Sequence, residues 1–218
     1  MKFSLVVPIF NEGKYLKRMI DSVLEQDVDF ELLFMDGGST DNTHEIINSY
    51  QDTRIKLFII PTDNSVGELQ KRVNMGIEKV NGDVFFLTSG HDWFFEGALK
   101  AIEENINDTG WVMGRLAKVS EDGRILKRIE DVRYSCGFIK MDLIRKHNIR
   151  LNPNLVAADY DLFMQVRGVA GEPKRIDNYI FKYMQHSSAL NKKFKVRIRR
   201  ERKDLDMQYA DIKEVSQS

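Results

Sequence analysis

The sequence predicts an α/β fold with a mostly parallel sheet, and three observations carry that prediction. Over residues 1–95, short apolar runs rich in β-forming residues alternate with segments of helical periodicity. Several of these runs are apolar throughout, which is typical of strands buried on both faces. Three of them lead into polar loops. The resulting β-α-β-α-β-α-β order favours a parallel sheet covered by helices on both faces.

The elements of this first half follow from the pattern of apolar residues. We predict strands over 3–10, 30–35, 55–60 and 84–87. The first helix is predicted over 13–26, because its apolar residues recur at helical spacing. They are Leu16, Met19, Ile20, Val23 and Leu24. A second helix should start near Ser39, Thr40 or Asp41, which are good N-cap residues, and run to about Tyr50. The third is predicted over 67–80.

From residue 96 onward the pattern is mixed α+β. Helices are predicted over 96–106, 140–147 and 160–168, and a late strand over 175–184. The segments 111–119 and 124–129 flank a Ser-Glu-Asp-Gly turn, which indicates a hairpin. No stretch has the composition of a linker and no internal repeat is visible. We therefore predict one domain over 1–190, followed by a basic segment over 191–218.

Composition bounds the class of protein. With 42% hydrophobic and 30% charged residues among 218, the chain resembles an ordinary globular protein with a sizeable core. Cys136 is the only cysteine, which excludes an intrachain disulfide and a multi-cysteine metal site and fits a reducing compartment. No apolar run approaches the ~20 residues needed to span a bilayer. We therefore expect a cytoplasmic protein.

Charge is balanced overall but concentrated near the end of the sequence. Lys plus Arg and Asp plus Glu number 33 each, so net charge gives no reason to expect a nucleic-acid partner. The segment from Asn191 to Lys203 nevertheless carries eight basic residues and one acid, Glu201. It can be a solvated helix or strand, a peripheral contact with anionic lipid, or a nucleic-acid contact. No aromatic stacking platform accompanies the charge, so nucleic acid is not expected.

Three polar loops are predicted to meet at one edge of the sheet, because the carboxyl ends of parallel strands share an edge. They are Pro8–Glu12, Asp36–Asp41 and Thr88–Asp92. Asp36 directly follows a buried strand and precedes two glycines, which let a ligand approach the backbone. The alternatives are a turn role for Asp36, a helix-cap role for Asp41 and a solvated Glu12. The dinucleotide fingerprint Gly-x-Gly-x-x-Gly is absent after the first strand, as is a phosphate-binding P-loop.

Four segments of the chain resemble glycosyltransferase family 2, whose members have the GT-A fold. They are residues 7–12 (VPIFNE), 36–43 (DGGSTDNT), 82–93 (GDVFFLTSGHDW) and 158–162 (ADYDL). All four come in the family's order and at family-like spacing. The resemblance implies a Rossmann-like, mostly parallel sheet flanked by helices. Residues 1–95 would then form a nucleotide-binding half and residues 96–190 a mixed α+β half on the acceptor side.

The resemblance also implies an activity. The chain would move a sugar, with inversion, from a nucleotide-diphosphate sugar, above all a UDP-sugar, to a hydroxyl of a glycan or lipid-linked acceptor in polysaccharide or glycoconjugate synthesis. Asp36 would receive the base, and Arg72 would donate to the base or the diphosphate. The residues assigned in this way to the nucleotide sugar are Pro8, Phe10, Glu12, Asp36, Arg72, Ser89 and Gly90.

The same resemblance assigns the chemical step. Asp159 would take the proton from the attacking hydroxyl, with Asp161 as the fallback base. Asp92 would bind Mn²⁺ or Mg²⁺, which offsets the negative charge of the leaving diphosphate. His91 and His186 are further candidate ligands of that ion.

Residues 88–92 depart from the family's pattern. Thr88 stands where an Asp or Asn is common, and His91 is an extra residue between Gly90 and Asp92. A second hypothesis is therefore a GT-A-like protein that binds a nucleotide sugar without transferring it. A nucleotidyltransferase is disfavoured, because its first loop should be basic and glycine-rich.

Overall fold

A computed structural model describes residues 1–63, 65, 67–106, 109–132, 136–184 and 194–210. The strands are β1 Lys2–Ile9, β2 Asp29–Asp36, β3 Ile55–Ile59, β4 Val84–Leu87, β5 Trp93–Phe94, β6 Trp111–Val119, β7 Ile125–Ile129, β8 Gly137–Lys140 and β9 Lys174–Met184. The helices are α1 Gly13–Leu24, α2 Thr43–Ser49, α3 Glu68–Lys79, α4 Ala98–Glu103, α5 Met141–Lys146, α6 Ala158–Ala170 and α7 Lys195–Gln208.

One nine-stranded sheet organises the molecule, with strand order β3-β2-β1-β4-β8-β6-β9-β5 and β7 paired to β6. Strands β3, β2, β1 and β4 are parallel, and β8 joins them in the antiparallel sense. Ile9 lies opposite Asp36 and Val6 opposite Leu87, so the three strands end close together at one edge. The predicted fold class is therefore confirmed, with the parallel pairing in the first half and mixed pairing beyond.

The core forms between this sheet and its helices. Every residue of β2 after Asp29 is buried, and so are most residues of β1 and β4. Helix α1 buries Leu16, Met19, Ile20 and Val23, which is the predicted stripe without Leu24. Phe86 of β4 stacks on Phe138 of β8 with ring centroids 4.0 Å apart. Each fully buried side chain of this size stabilises the fold by roughly 1.5–3 kcal/mol.

Several predicted boundaries were wrong. Strands β5 and β8 were not predicted, since β5 has only two residues and β8 is not apolar throughout as β4 is. Helix α2 begins at Thr43, because Oδ1 of Asp41 accepts the backbone N–H of Thr43 at 3.0 Å and forms a turn before the helix. Helix α4 begins only after Gly97, whose φ of 67° breaks the helical conformation, and it ends at Glu103.

The basic segment forms helix α7 over most of its described part. Leu205 of α7 is buried in a small cluster with Ala157, Tyr160 and Met164 from the region of α6. The division of the chain at residue 190 stays a prediction. Among the residues described, no helix is both long enough and apolar enough to cross a bilayer.

Candidate active site

Hydrogen bonds join the loops that follow β1 and β2. Oδ1 of Asn11 accepts the N–H of Thr40 at 2.8 Å, and Oγ of Ser39 accepts the N–H of Asn11 at 2.8 Å. The N–H of Glu12 donates to Oγ1 of Thr43 at 3.0 Å. Asn11 has a φ of 55°, a left-handed conformation that Asn tolerates better than most residues. The two loops therefore form one connected rim at the carboxyl edge of the sheet.

Asp36 lies beneath this rim and is fully buried. Its Oδ2 accepts the N–H groups of Gly38 and Ser39 and Nε2 of His44, each at 2.9 Å, and its Oδ1 accepts the hydroxyl of Ser39. Burial acts to raise the pKa of Asp36, but the hydrogen bonds from Ser39 and His44 outweigh it and lower the pKa below its usual range. The carboxylate thus organises its own loop. Its contact with a base stays a prediction.

Arg72 on α3 is the predicted residue that lies near Asp36. Its side chain is buried, and Nη1 donates to Oγ1 of Thr62. Burial lowers the pKa of Arg72, against the attraction of Asp36 and Glu68, which acts to raise it. The guanidinium of Arg72 and the carboxylate of Asp36, which the resemblance assigns to the nucleotide sugar, therefore attract each other.

Pro8 and Phe10, which the resemblance assigns to the nucleotide sugar, lie at the carboxyl end of β1. Pro8 is the penultimate residue of β1, pairs with Met35 and is partly exposed. Phe10 follows the end of β1 and is 42% exposed. An exposed aromatic ring at this edge offers a flat apolar face for stacking.

The loop after β4 packs closely on the loop after β1. A Cβ atom on Gly90 would lie 3.0 Å from Cγ2 of Ile9 and 3.1 Å from Cβ of Glu12, closer than side chains normally approach. Any larger residue at this position would require Ile9 or Glu12 to shift by a few tenths of an ångström. Ser89 is partly exposed, and its hydroxyl donates to Oδ2 of Asp92 at 2.7 Å.

Asp92, His91 and Glu12 form the charged part of this loop contact. Asp92 is buried, and its Oδ1 accepts the N–H of Met184 at 2.7 Å. Burial raises the pKa of Asp92 to about 6, although His91 and the hydrogen bonds from Met184 and Ser89 oppose it. Nδ1 of His91 donates to Glu12, 3.1 and 3.2 Å from its two carboxylate oxygens. Burial acts to lower the pKa of His91, but Glu12 and Asp92 outweigh it and raise that pKa.

These residues do not make a metal site on their own. Both oxygens of Asp92 already accept hydrogen bonds, and Nδ1 of His91 faces Glu12. In the described ranges, no group of three or more His, Cys, Asp or Glu side chains could hold a metal ion. His186 lies outside the described residues. That Asp92, His91 and His186 bind a metal therefore stays a prediction.

The two candidate bases, Asp159 and Asp161, lie in the first turn of α6 but in different surroundings. Asp161 is buried, accepts a hydrogen bond from Nε2 of Gln165 at 2.8 Å, and has its pKa raised by burial. Asp159 is partly exposed, and its carboxylate has no hydrogen-bond or ion-pair partner among the residues that the structure describes. Of the two, Asp159 is the more exposed, whereas Asp161 lines a cavity between α6 and α7.

The loop before α6 is docked on α3. Asn74 donates to the carbonyl of Leu151 at 2.9 Å and accepts the N–H of Leu151 at 2.8 Å. Nε2 of Gln70 donates to the carbonyl of Leu155 at 2.7 Å. Arg72, which is predicted to bind the nucleotide, also lies on α3. These contacts therefore hold the segment before Asp159 against the helix that carries Arg72.

Sequence reasoning missed three kinds of contributor to this site. His44, which binds Asp36, stands directly after the DGGSTDNT segment. Gln70 and Asn74 lie four residues apart and hence on one face of α3, which is a readable signal. Glu201 of α7, whose Oε2 accepts the backbone N–H groups of Val156 and Ala157 just before α6, was visible only as the single acid in a basic run.

Comparison with known proteins agrees with the fold. Residues 4–172 match the family model described as "Glycosyl transferase family 2". A curated relative, glycosyltransferase GlyG of Streptococcus pneumoniae, is 32% identical over 108 residues, which cover 48% of this chain and 35% of that protein.

Two solved structures share the fold. Residues 1–349 of TarS from Staphylococcus aureus, in complex with UDP-GlcNAc, superpose with a TM-score of 0.73 at 20% identity, covering 87% of this chain and 60% of that one. The mannosyltransferase PcManGT from Pyrobaculum calidifontis, in complex with GDP-Man and Mn²⁺, gives a TM-score of 0.64 at 13% identity, covering 87% and 59%. The chain thus spans about a third of the length of the curated relative and about three fifths of each solved chain.

Proposed function

The chain belongs to glycosyltransferase family 2, and from that premise we propose that it moves a sugar from a nucleotide-diphosphate sugar to an acceptor hydroxyl with inversion at the anomeric carbon. A UDP-sugar is the proposed donor, and a glycan or lipid-linked hydroxyl in polysaccharide or glycoconjugate synthesis is the proposed acceptor. The observation that carries the proposal is the carboxylate of Asp159. This carboxylate is accessible and has no partner among the described residues. It lies in the first turn of α6, and the loop before α6 is docked on α3.

In the proposed step, Asp159 accepts the proton of the acceptor hydroxyl as that oxygen attacks the anomeric carbon. Attack comes from the face opposite the diphosphate, so the bond to the new oxygen forms as the bond to the diphosphate oxygen breaks. Positive charge develops on the sugar ring, as in glycoside hydrolysis. A positioned carboxylate contributes typically 10²–10⁴-fold to such a proton transfer.

The donor is proposed to lie across the loops after β1, β2 and β4. Phe10 offers its exposed ring to the base beside Pro8, and Glu12 lies near the nucleotide. Arg72 offers its guanidinium to the base or diphosphate. Reaching Asp36 requires the base to compete with His44 for Oδ2, because that oxygen is already bonded.

Two further residues complete the proposed donor site. Gly90 lets the backbone after β4 come close to the loop after β1. Ser89 offers a partly exposed hydroxyl whose present acceptor is Asp92. Both lie where the diphosphate would meet the sheet edge.

A divalent metal is proposed only as an ion shared with the donor. Mg²⁺ and Mn²⁺ commonly combine one or two carboxylates with waters and substrate phosphates. Asp92 would supply the carboxylate, and His91 and His186 are the proposed additional ligands. When bound, the ion would offset the negative charge of the departing diphosphate.

The experiment compares the wild type with Asp159→Asn. Release of UDP from UDP-sugars, or GDP from GDP-mannose, is followed with and without MnCl₂, using water or simple glycosides as acceptors. We expect Asn to lower kcat by about 10²–10⁴-fold while leaving the dissociation constant of UDP unchanged. Asp161→Asn is the matched control, because it removes the neighbouring carboxylate that is buried and bonded to Gln165.

One observation favours the second hypothesis, nucleotide-sugar binding without transfer. Asp92 is the only carboxylate among residues 88–92, and both of its oxygens are already engaged within the fold. Tight binding of a nucleotide sugar with no turnover under any of these conditions would select that hypothesis and reject the transferase.

A further inference from the structure

The helix that carries Asp159 has no cap of its own. The N-cap position of α6 is Ala157, whose side chain cannot accept a hydrogen bond. The backbone N–H groups of Val156 and Ala157 instead donate to Oε2 of Glu201, both at 2.8 Å. Glu201 lies on α7, 44 residues after Ala157. Glu201 thus binds the two N–H groups just before the first helical residue, and one of them, that of Ala157, has no partner within the helix.

Glu201 is itself held in place by a second contact with the same loop. Its Oε1 accepts Nε of Arg197 at 2.7 Å, and Nη2 of Arg197 donates to the carbonyl of Asn154 at 2.9 Å. Only 11% of the Glu201 side chain is exposed, against 45% of Arg197, so solvent screens the carboxylate less than its partner. A carboxylate at a helix N-terminus also interacts favourably with the helix dipole. The Arg197–Glu201 pair therefore binds the loop at both its carbonyl and its N–H groups.

The packing of α7 fixes the position of Glu201. Leu205 is buried against Ala157 and Tyr160, one turn beyond Glu201. The hydroxyl of Tyr160 donates to Oδ1 of Asp206. The guanidinium of Arg202 lies over the ring of Tyr160, 5.0 Å from its centroid. Tyr160 adjoins Asp159, so these contacts place α7 directly behind the candidate base.

We propose that Glu201 is a positioning residue for the transfer reaction. It holds the N-terminus of α6, and so fixes the direction from which the carboxylate of Asp159 meets the acceptor hydroxyl, without touching substrate. This inference rests on the proposed function, because it gives Glu201 a role only through Asp159. A misplacement of the base by about 1 Å can cost on the order of a hundredfold in rate, so a cap can matter for catalysis beyond its effect on stability.

Three variants of α7 test the proposal. Glu201→Ala removes the acceptor. Glu201→Gln keeps an amide oxygen that can accept both N–H groups while its charge is lost. Asp204→Asn is the matched control, because Asp204 lies on the same helix, is 60% exposed, and has Arg200, at 4.0 Å, as its one ion-pair partner among the described residues. Three quantities are measured on the full chain: hydrogen exchange of the peptide spanning 155–162, the dissociation constant of UDP, and kcat for release of UDP from the active UDP-sugar.

We expect Glu201→Ala to speed hydrogen exchange in 155–162 and to lower kcat about tenfold, because the N–H groups of Val156 and Ala157 lose their acceptor and the base is displaced. The dissociation constant of UDP should stay within about twofold of the wild type. Glu201→Gln should recover most of kcat, and Asp204→Asn should match the wild type. A purely structural role predicts instead that kcat and UDP affinity fall together with the folded fraction.

These measurements distinguish failure of the positioning role of Glu201 from failure of the proposed transferase function. If the wild type turns over and Glu201→Ala leaves kcat unchanged, or slows kcat no more than Glu201→Gln and Asp204→Asn do, the positioning role is rejected while the transferase stands. Unchanged exchange in 155–162 rejects it as well. If the wild type binds UDP but releases none from any donor, the proposed function fails, and with it the catalytic role of Glu201.

Discussion

Asp92 and Met184 are joined by a hydrogen bond of 2.7 Å from the N–H of Met184 to Oδ1 of Asp92, which ties the loop after β4 to the end of β9. The bond is buried and joins residues that are 92 positions apart in the sequence. It gives Asp92 a structural role that exists whether or not a metal binds. Any test of Asp92 must therefore separate the loss of a metal ligand from the loss of this bond.

Two substitutions at Asp92 make that separation. Asp92→Asn keeps an oxygen for the N–H of Met184 and loses the charge, whereas Asp92→Ala leaves that buried N–H without its partner. We expect Ala to lower the free energy of unfolding by about 1–3 kcal/mol and Asn to lower it less. Urea denaturation measures both values.

The metal proposal adds an expectation for Asp92→Asn. Its affinity for UDP in MnCl₂, measured by calorimetry, should fall on the order of tenfold or more. In EDTA the wild type and the variant should bind UDP equally. An equal loss of affinity in EDTA would show that Asp92 acts only through the fold.

The first half of the fold could be predicted because its signals are local. The stripe from Leu16 to Val23 and the apolar runs of β2 and β4 report burial directly. Strand β5 has two residues, and its pairing with β9 joins Trp93 to Lys182, so no local pattern encodes it. Short strands whose partners are distant in sequence are specified by tertiary contacts instead.

The candidate site likewise has features that the sequence indicates and features that only tertiary contacts specify. Glycines and carboxylates in the DGGSTDNT segment indicate a loop that a ligand can approach, but the same residues are needed when the carboxylate binds its own backbone, as Asp36 does. Sequence alone does not separate these two uses. Nor does it reveal Glu201, because the N–H groups that it accepts belong to residues 44 and 45 positions away.

Phe10 provides a test of base stacking. Phe10→Ala should weaken UDP binding by about 1–3 kcal/mol, the range found when an aromatic platform under a base is removed. Phe10→Tyr keeps the ring and should bind nearly as well as the wild type. Leu126→Ala on β7 is the control, because Leu126 is 50% exposed and lies outside the three loops. Equal affinity for Phe10→Ala and wild type would remove Phe10 from the donor site.

Glu31 should make stability depend on pH. Its side chain is 1% exposed and accepts hydrogen bonds from Ser4, the N–H of Asn81 and Lys56. Burial acts to raise the pKa of Glu31, but these partners lower it from 4.5 to about 2. Because the pKa is lower in the folded state, the stabilisation is complete above pH 4.5 and is lost as the pH falls toward 2.

One unit below the unfolded-state pKa, the loss from Glu31 amounts to about 1.4 kcal/mol. Urea denaturation at pH 6 and pH 3.5 should therefore show a smaller change for Glu31→Gln than for the wild type. Asp29→Asn serves as the control, since Asp29 lies on the same strand but is exposed. If Glu31→Gln keeps the full pH dependence of the wild type, other carboxylates cause it.

The outward face of α7 is proposed to contact anionic lipid. Val196 and Met207 are 82% and 56% exposed, and Arg199, Arg200 and Lys203 lie between them on the same side of the helix. Each basic residue near an anionic surface is worth roughly 1 kcal/mol. Replacing the three by Gln should therefore weaken binding to phosphatidylglycerol vesicles at low salt on the order of a hundredfold, measured by sedimentation of the vesicles.

The control removes the same charge elsewhere. Lys100, Lys127 and Lys146 are exposed residues on α4, β7 and α5, and replacing them by Gln lowers net charge equally without changing α7. A surface formed by α7 predicts near wild-type binding for this control and binding that falls with added salt for the wild type. If both triple variants lose binding alike, the attraction belongs to the net charge of the molecule and not to α7. If instead only the α7 variant loses binding, the lipid-bound helix lies directly behind the segment that carries Asp159, because Glu201 and Leu205 face α6 from the same helix.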